Sequence, residues 1–266
     1  MIETHTLTDG RHTVVVTVSQ GPRVLSFTRA GGPNLFAEEL PDELPCEGAP
    51  APYCLLGGHR LWVAPEVPPR TYWPDNEPVM VTETPAGIRF AQPAQAGFAK
   101  ALTVRFIEEG VEVTHTLTNA GPAAVEVAPW AITQFAPGGT AILPQPAGPV
   151  DPYGVLPNRR LAFWPYSRLD DPRVEWGPER IRITAGDTTE PFKVGFANPA
   201  GWLAYEKDGV RFTKRTRYDP DATYPDLDTS SQCYVNGSFL ELETLGPLTM
   251  LAPGASITHV ETWSIT

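Results

Sequence analysis

Nowhere along this chain of 266 residues does an apolar pattern repeat every 3.6 positions over a helix-length window. Apolar and β-branched residues instead come in short runs, each closed by Gly, Pro, Asn or Asp. Such runs suit a pleated, half-buried surface, and the closing residues are those that turns require. The runs at 13–18 and 23–27 are joined by Gln20-Gly21-Pro22, which predicts a hairpin. Those at 101–107 and 111–118 flank Glu108-Glu109-Gly110, and those at 201–205 and 210–214 flank Lys207-Asp208-Gly209. Further runs lie at 34–36, 79–82, 88–91, 124–135, 180–184 and 192–196, and the chain closes with two more at 234–244 and 251–265. Many short strands separated by turn signals predict an all-β fold, a large antiparallel β-sandwich in one domain spanning 1–266. The 30 prolines and 23 glycines are scattered between the runs and read as turn punctuation. Two long stretches, 38–76 and 145–176, interrupt the series, with a short helical turn expected at 41–44. Long connections on a sandwich are where a site is usually built.

Charge narrows the partners. The formal net charge is −11, with no cluster of Lys or Arg on any expected strand. Nucleic acid and anionic membrane surfaces are therefore not expected partners, and a small molecule is. Cys46, Cys54 and Cys233 are odd in number and irregularly spaced, so a reduced, cytoplasmic setting is expected, although Cys46 and Cys54 could pair. The opening segment has neither a basic nor an apolar stretch of signal-peptide type, and no run is long enough for a membrane helix. No zinc, P-loop, dinucleotide or nucleophile-elbow motif occurs, so no metal or cofactor is expected.

Four segments carry chemistry-bearing residues. In Gly237-Ser-Phe-Leu-Glu-Leu-Glu-Thr244, Glu241 and Glu243 are two apart and share one face of a strand, with Leu240, Leu242 and Thr244 on the other. Their flanks suit a buried strand, where carboxylates are unusual outside a polar site. In Leu55-Leu-Gly-Gly-His-Arg-Leu-Trp-Val-Ala-Pro-Glu66, Gly57 and Gly58 permit unusual backbone angles. His59 offers proton transfer near neutral pH, Trp62 a flat apolar face, and Arg60 and Glu66 hydrogen bonds or a mutual ion pair. In the run at 124–135, Trp130 stands among apolar residues, and His115 on the preceding run alternates with valines and reads as a core histidine. Lys193, mid-strand between Phe192 and Val194, suits a buried ion pair or a ligand hydrogen bond. Asp219, Asp221, Asp226 and Asp228 crowd one loop, but their spacing fits no calcium loop and Asp-Pro-Asp is ordinary turn chemistry. Tyr72, Trp73, Trp164, Tyr166 and Trp176 lie in the long stretches, covering the core or a ligand.

In order along the chain, these segments resemble the galactose mutarotase-like (aldose 1-epimerase) superfamily, above all its uncharacterised bacterial members. The early Gly21-Pro-Arg-Val-Leu-Ser-Phe27 and Gly32-Pro-Asn-Leu-Phe36 look like the family's first strands. Gly57, Gly58, Trp62, Pro65 and Glu66 match a Gly-Gly-x-x-x-Trp-x-x-Pro-Glu pattern, and Leu242-Glu243-Thr244 is similar to the context of the epimerase base. The resemblance implies a β-supersandwich that binds a monosaccharide or sugar derivative. In an enzyme it implies Glu243 as the base at the anomeric hydroxyl and His59 as the acid at the ring oxygen. Trp130 stands where the family carries its strand-borne histidine, which favours a second reading, a non-catalytic sugar-binding module. Arg60, Trp62, Glu66, Trp130, Lys193, Asp226 and Glu241 are the expected substrate contacts. A lyase or hydrolase using Glu66 and Glu243 as opposed carboxylates is a third reading.

Overall fold

The structure, a computed structural model, describes residues 2–186 and 188–266. It is nearly all antiparallel β. Strands are numbered in chain order. The first sheet runs β1 (Thr4–Thr8), β2 (His12–Thr17), β3 (Val24–Arg29), β6 (His59–Ala64), β11 (Val125–Phe135), β20 (Leu240–Leu245), β19 (Ser231–Val235), β16 (Phe192–Phe196) and β13 (Leu161–Phe163), with β21 (Thr249–Leu251) paired to the start of β11. The second runs β14 (Val174–Trp176), β15 (Arg180–Thr184), β12 (Thr140–Pro144), β17 (Trp202–Lys207), β18 (Val210–Arg215), β22 (Ser256–Ile265), β10 (Gly110–Asn119), β9 (Phe98–Ile107), β8 (Gly87–Ala91) and β7 (Met80–Thr84). A two-stranded ribbon, β4 (Glu38–Leu44) and β5 (Tyr53–Gly57), completes the set.

The expected hairpins are present: β2 pairs with β3, β9 with β10, and β17 with β18. The expectation for 38–76 is corrected. That stretch holds β4, β5 and β6 rather than a long connection, and 41–44 belong to β4 rather than to a helical turn. β6 sits at the centre of the first sheet and every one of its residues is buried. It lacks a polar face because both its faces are covered, so apolar–polar alternation is missing.

Leu61, Val63, Leu240, Leu242, Val194, Phe135, Phe212 and Trp263 belong to the main core between the two sheets. A second apolar cluster lies on the outer face of the first sheet, with Trp62, Ala64, Ala128, Trp130, Ile132 and Leu245 beneath Tyr53 and Leu55 of the ribbon. The central strands of that sheet thus bury side chains on both faces, one in the core and one under the ribbon.

Gly57 and Gly58 make this crossing feasible. Both have positive φ, +89° and +70°. A Cβ on Gly57 would come 2.1 Å from the Ala37 carbonyl oxygen, and one on Gly58 2.3 Å from that of Val24. Gly58 also donates its N–H to the Ala37 carbonyl at 2.9 Å and accepts from the Gln134 N–H at 2.8 Å. Gly57→Ala is expected to cost about 2 kcal/mol or more, since left-handed strain is combined with a backbone collision. Urea unfolding midpoints check this, and an unchanged midpoint would contradict it.

Candidate functional site

Strand register assembles the site on the outer face of the first sheet. Trp130 lies beside Trp62 on one side and Leu245 on the other. Ile132 lies between Arg60 and Glu243. In the neighbouring row Tyr234 lies between Glu241 and Lys193. Side chains two apart on each strand share this face, so Arg60 and Trp62, Glu241 and Glu243, and Trp130 and Ile132 all point outward from the core. Arg60, Trp62, Trp130 and Glu241 floor a cavity of about 300 Å³, walled by Glu66, Tyr72, Trp164, Tyr166 and residues of the ribbon.

Two buried ion pairs organise the floor. Arg60 Nη2 donates to Glu241 Oε1 at 3.0 Å, and the guanidinium lies over the Trp62 ring, 4.3 Å from its centroid. Lys193 Nζ donates to Glu243 Oε2 at 2.9 Å and lies between two indoles, 4.7 Å from the centroid of Trp130 and 4.6 Å from that of Trp164. Cations placed over indole faces gain electrostatic attraction to the ring quadrupole. Trp130 Nε1 also donates to Glu243 Oε2, at 2.7 Å. Tyr72 donates its hydroxyl to Glu66 at the rim. Several polar atoms remain without a protein partner: Arg60 Nε and Nη1, Trp62 Nε1 and Glu243 Oε1. Arg60 and Trp62 line the cavity, and their orphaned donors mark where a polar ligand or water completes the hydrogen bonding.

Burial pushes the Glu243 carboxyl up, to about 7, although Lys193 opposes the shift and Glu241 adds to it. Burial likewise raises the hydroxyls of Tyr72 and Tyr166, so both stay protonated donors at neutral pH.

Of the expected contacts, Arg60, Trp62, Glu66, Trp130, Lys193 and Glu241 all line the cavity. Three expectations are corrected. Glu243 is wholly buried beneath the floor, with Trp130 and Lys193 over its carboxylate, so it does not face the cavity directly. His59 lies on the opposite face of β6, with Leu61 and Val63, because alternation turns it away from Arg60 and Trp62. Its Nε2 meets His115 Nε2 at 2.7 Å, and its ring packs edge-on against Trp263 between the sheets. It cannot serve as the acid of a cavity on the other side of the sheet. Asp226 accepts from Gln232 Nε2 at 2.7 Å and borders a neighbouring hollow instead. Cavity residues not singled out from sequence include Tyr234, Phe239 and Pro191. Tyr234 carried a usable signal, since it begins the run that leads to Glu241 and Glu243.

His59 belongs to a second polar assembly, buried between the sheets. His115 Nδ1 donates to the His259 carbonyl at 2.9 Å, so its Nε2 accepts from His59 Nε2. His59 Nδ1 then accepts from Thr133 Oγ1 at 2.9 Å, and Thr133 in turn accepts from Lys214 Nζ at 3.1 Å. Lys214 pairs with Glu261 at 2.7 Å, both fully buried, while Trp263 Nε1 donates to the other carboxylate oxygen at 2.7 Å. Thr244 donates to Glu261 and accepts from His259 Nε2 at 2.7 Å. Burial, before any charge effect, pushes all three histidines down: His259 to about 3, His59 well below its ordinary value, and His115 in the same direction. Among the described residues, His59, His115 and Glu261 bring possible metal-ligand atoms within 4.8 Å of one another. The Lys214 ammonium already occupies the cation position beside Glu261, and hydrogen bonds commit both imidazoles, which explains the cluster without an ion. The three cysteines are free thiols, and no helix of the described residues is long and apolar enough to cross a membrane.

Comparison with solved structures identifies the fold. A candidate aldose 1-epimerase from Escherichia coli K12 superposes with a TM-score of 0.60 at 14% identity, covering 100% of this chain and 99% of its own. A galactose mutarotase-like protein from Lactobacillus casei gives 0.61 at 13%, covering 99% and 100%. A galactose mutarotase related enzyme from Lactobacillus acidophilus gives 0.60 at 10%, covering 99% and 97%. No family model and no curated protein matches the sequence. The chain therefore has the galactose mutarotase-like fold over its full described length, at an identity that speaks to fold alone.

Proposed function

We propose that this protein binds a pyranose sugar or sugar derivative in the outer-face cavity. The observation that carries the reading is the joint lining by three indoles, the Arg60–Glu241 ion pair and the Lys193 ammonium. Trp62, Trp130 and Trp164 present apolar faces, while Arg60–Glu241 and Lys193 present polar groups between them. A pyranose has that same division, apolar C–H faces with hydroxyls around the edge, so ring stacking and bidentate hydrogen bonds are satisfied together. The cavity volume, about 300 Å³, sits at the small end of ligand sites, roughly 300–1,000 Å³, and suits a single ring. The fold shared with mutarotase-like proteins supports a sugar-related role.

A second reading, anomeric proton transfer, is favoured by one observation. Glu241 and Lys193 both line the cavity, and Lys193 is hydrogen-bonded to Glu243, whose carboxyl titrates near neutrality. In that reading Glu241 accepts the C1 hydroxyl proton while the Lys193 ammonium donates one to the ring oxygen. The C1–O5 bond breaks, C1 becomes an aldehyde, rotation exposes its other face, and reversal of both transfers closes the ring. Neither Glu243 nor His59 then touches the sugar. Glu243 is a positioning residue that holds Lys193.

Calorimetric titration of an aldose panel tests the binding reading. Trp62→Ala is expected to weaken affinity about tenfold or more, the loss of one stacking face and one indole donor. Equal affinity in wild type and variant would contradict it. NMR line exchange between anomers separates the two readings: acceleration by wild type that Lys193→Met removes supports transfer, and binding without acceleration supports recognition alone.

A further inference from the structure

The chain between Tyr224 and Thr229 makes a turn, Pro225–Asp228, in which three consecutive non-glycine residues are left-handed: φ is 53° at Asp226, 62° at Leu227 and 66° at Asp228. Left-handed backbone costs an L-residue about 1–2 kcal/mol. The surroundings hold it there. Gln232 Nε2 donates to Asp226 at 2.7 Å, the Tyr224 N–H donates to Asp228 Oδ1 at 2.8 Å, the Thr229 N–H donates to the Pro225 carbonyl at 2.9 Å, and Arg160 pairs with Asp228. What this strained and braced turn achieves is the outward display of Leu227, 76% exposed and absent from both apolar clusters. Leu227 faces Phe163, Trp164 and Pro165 across a hollow of about 230 Å³, which Asp226 also borders. Phe163 is itself 36% exposed.

Trp164 is common to this hollow and to the main cavity. Lys193, a residue of the main cavity, has its Nζ 4.6 Å from the centroid of the Trp164 indole. We infer that the hollow is a second subsite, which takes a second saccharide ring linked to the one in the main cavity. The inference rests on the main cavity being a sugar site. Its own support is the contiguity through Trp164, the apolar side chains of Phe163, Pro165 and Leu227, and a carboxylate at the edge for hydroxyl hydrogen bonds. Backbone strain of this kind collects at ligand clamps, and the fold has no packing use for Leu227. Asp226 borders the hollow in a chain of net charge −11, so an anionic occupant is disfavoured and a neutral ring fits. The ligand class is thus a disaccharide or longer glycan rather than a free monosaccharide.

The test is calorimetric titration with matched pairs, each a hexose and its β-1,4-linked disaccharide, in the glucose, galactose and mannose series. In at least one pair the disaccharide is expected to bind about tenfold tighter, as extra buried stacking surface provides. Leu227→Asn removes the apolar side chain but keeps a residue that tolerates left-handed backbone, and Phe163→Ser removes the facing ring. Each should reduce the disaccharide advantage to within about twofold and leave monosaccharide affinity unchanged. Disaccharides that bind no tighter than their monosaccharides, or an advantage that survives both substitutions, would overturn the subsite while the main-cavity reading stands. No binding in any pair would overturn the main-cavity reading, and the subsite with it.

Discussion

Lys214→Met is expected to destabilise the protein by about 3–5 kcal/mol, the cost of leaving one member of a buried ion pair without its partner. Lys214 Nζ lies 2.7 Å from Glu261 Oε1, and both side chains are fully buried between the sheets. The ammonium also donates to the carbonyls of Leu242 at 3.2 Å and Ala131 at 3.4 Å, and to Thr133. It therefore ties β18 of the second sheet to β11 and β20 of the first. Without it the Glu261 carboxylate keeps only the Trp263 and Thr244 donors. Removing the charge as well should restore much of the loss. In Lys214→Met/Glu261→Gln, Trp263 and Thr244 are left facing a neutral amide. Urea denaturation of both single variants and the double variant gives the coupling directly, expected above about 1 kcal/mol. Additive losses would show that the pair is not a unit.

The second large effect is on acid stability. His59, His115 and His259 are buried neutral, and their folded-state values lie below the ordinary histidine value of 6.5. A depressed histidine leaves the unfolded chain binding more protons, so its contribution is full above about pH 6.5 and is lost as pH falls below it. Each such group contributes a slope approaching 1.4 kcal/mol per pH unit. Glu243 acts in the opposite sense. Its folded value is raised from 4.5 to about 7, so the folded state binds the extra proton between those values and gains stability as pH falls. The strongly depressed His59 and His259 outweigh Glu243, leaving a net loss on the order of 1 kcal/mol per pH unit as pH falls below 6.5, to which His115 adds in the same direction. Below pH 4.5 the depressed Glu261 carboxylate adds to the loss. His259→Gln should flatten the slope by about one group's share, because glutamine keeps a donor toward Thr244 without titrating. A wild-type stability that stays level from pH 7 to 5 would contradict the assignment of neutral imidazoles.

Sequence reading succeeded where one face of a strand is apolar and the turn chemistry is plain. The β9–β10 and β17–β18 hairpins are of this kind, with Glu-Gly and Asp-Gly at their turns. The shared face of Glu241 and Glu243 followed from period-two alternation alone, and the pairs with Arg60 and Lys193 show it is a buried face. β6 was illegible for the reason that makes it useful: it buries a histidine and two aliphatics on one side, and an arginine and an indole on the other. Once 59–64 is taken as a strand, parity alone separates His59 from Arg60 and Trp62. Trp130 was noted for standing in place of a histidine, but its bond to Glu243 depends on a partner 113 residues away. The inter-sheet network joins Thr133, Thr244 and His59 to Lys214 and Glu261, and no local pattern announces such long-range pairing. The left-handed turn at 226–228 was hidden because leucine and aspartate replace the glycines that normally signal positive φ.

The central claim is that a sugar ring rests among Trp62, Trp130 and Trp164. It is tested most directly by indole ¹⁵N–¹H NMR on tryptophan-labelled protein during titration with sugars. The seven tryptophans give separate reporters. The account predicts that the Nε1–H signals of Trp62, Trp130 and Trp164 shift with saturable titration curves. Trp263, bound to Glu261 between the sheets, should stay fixed as the internal control. Saturable shifts confined to tryptophans outside the cavity, or none across the sugar panel, would contradict it.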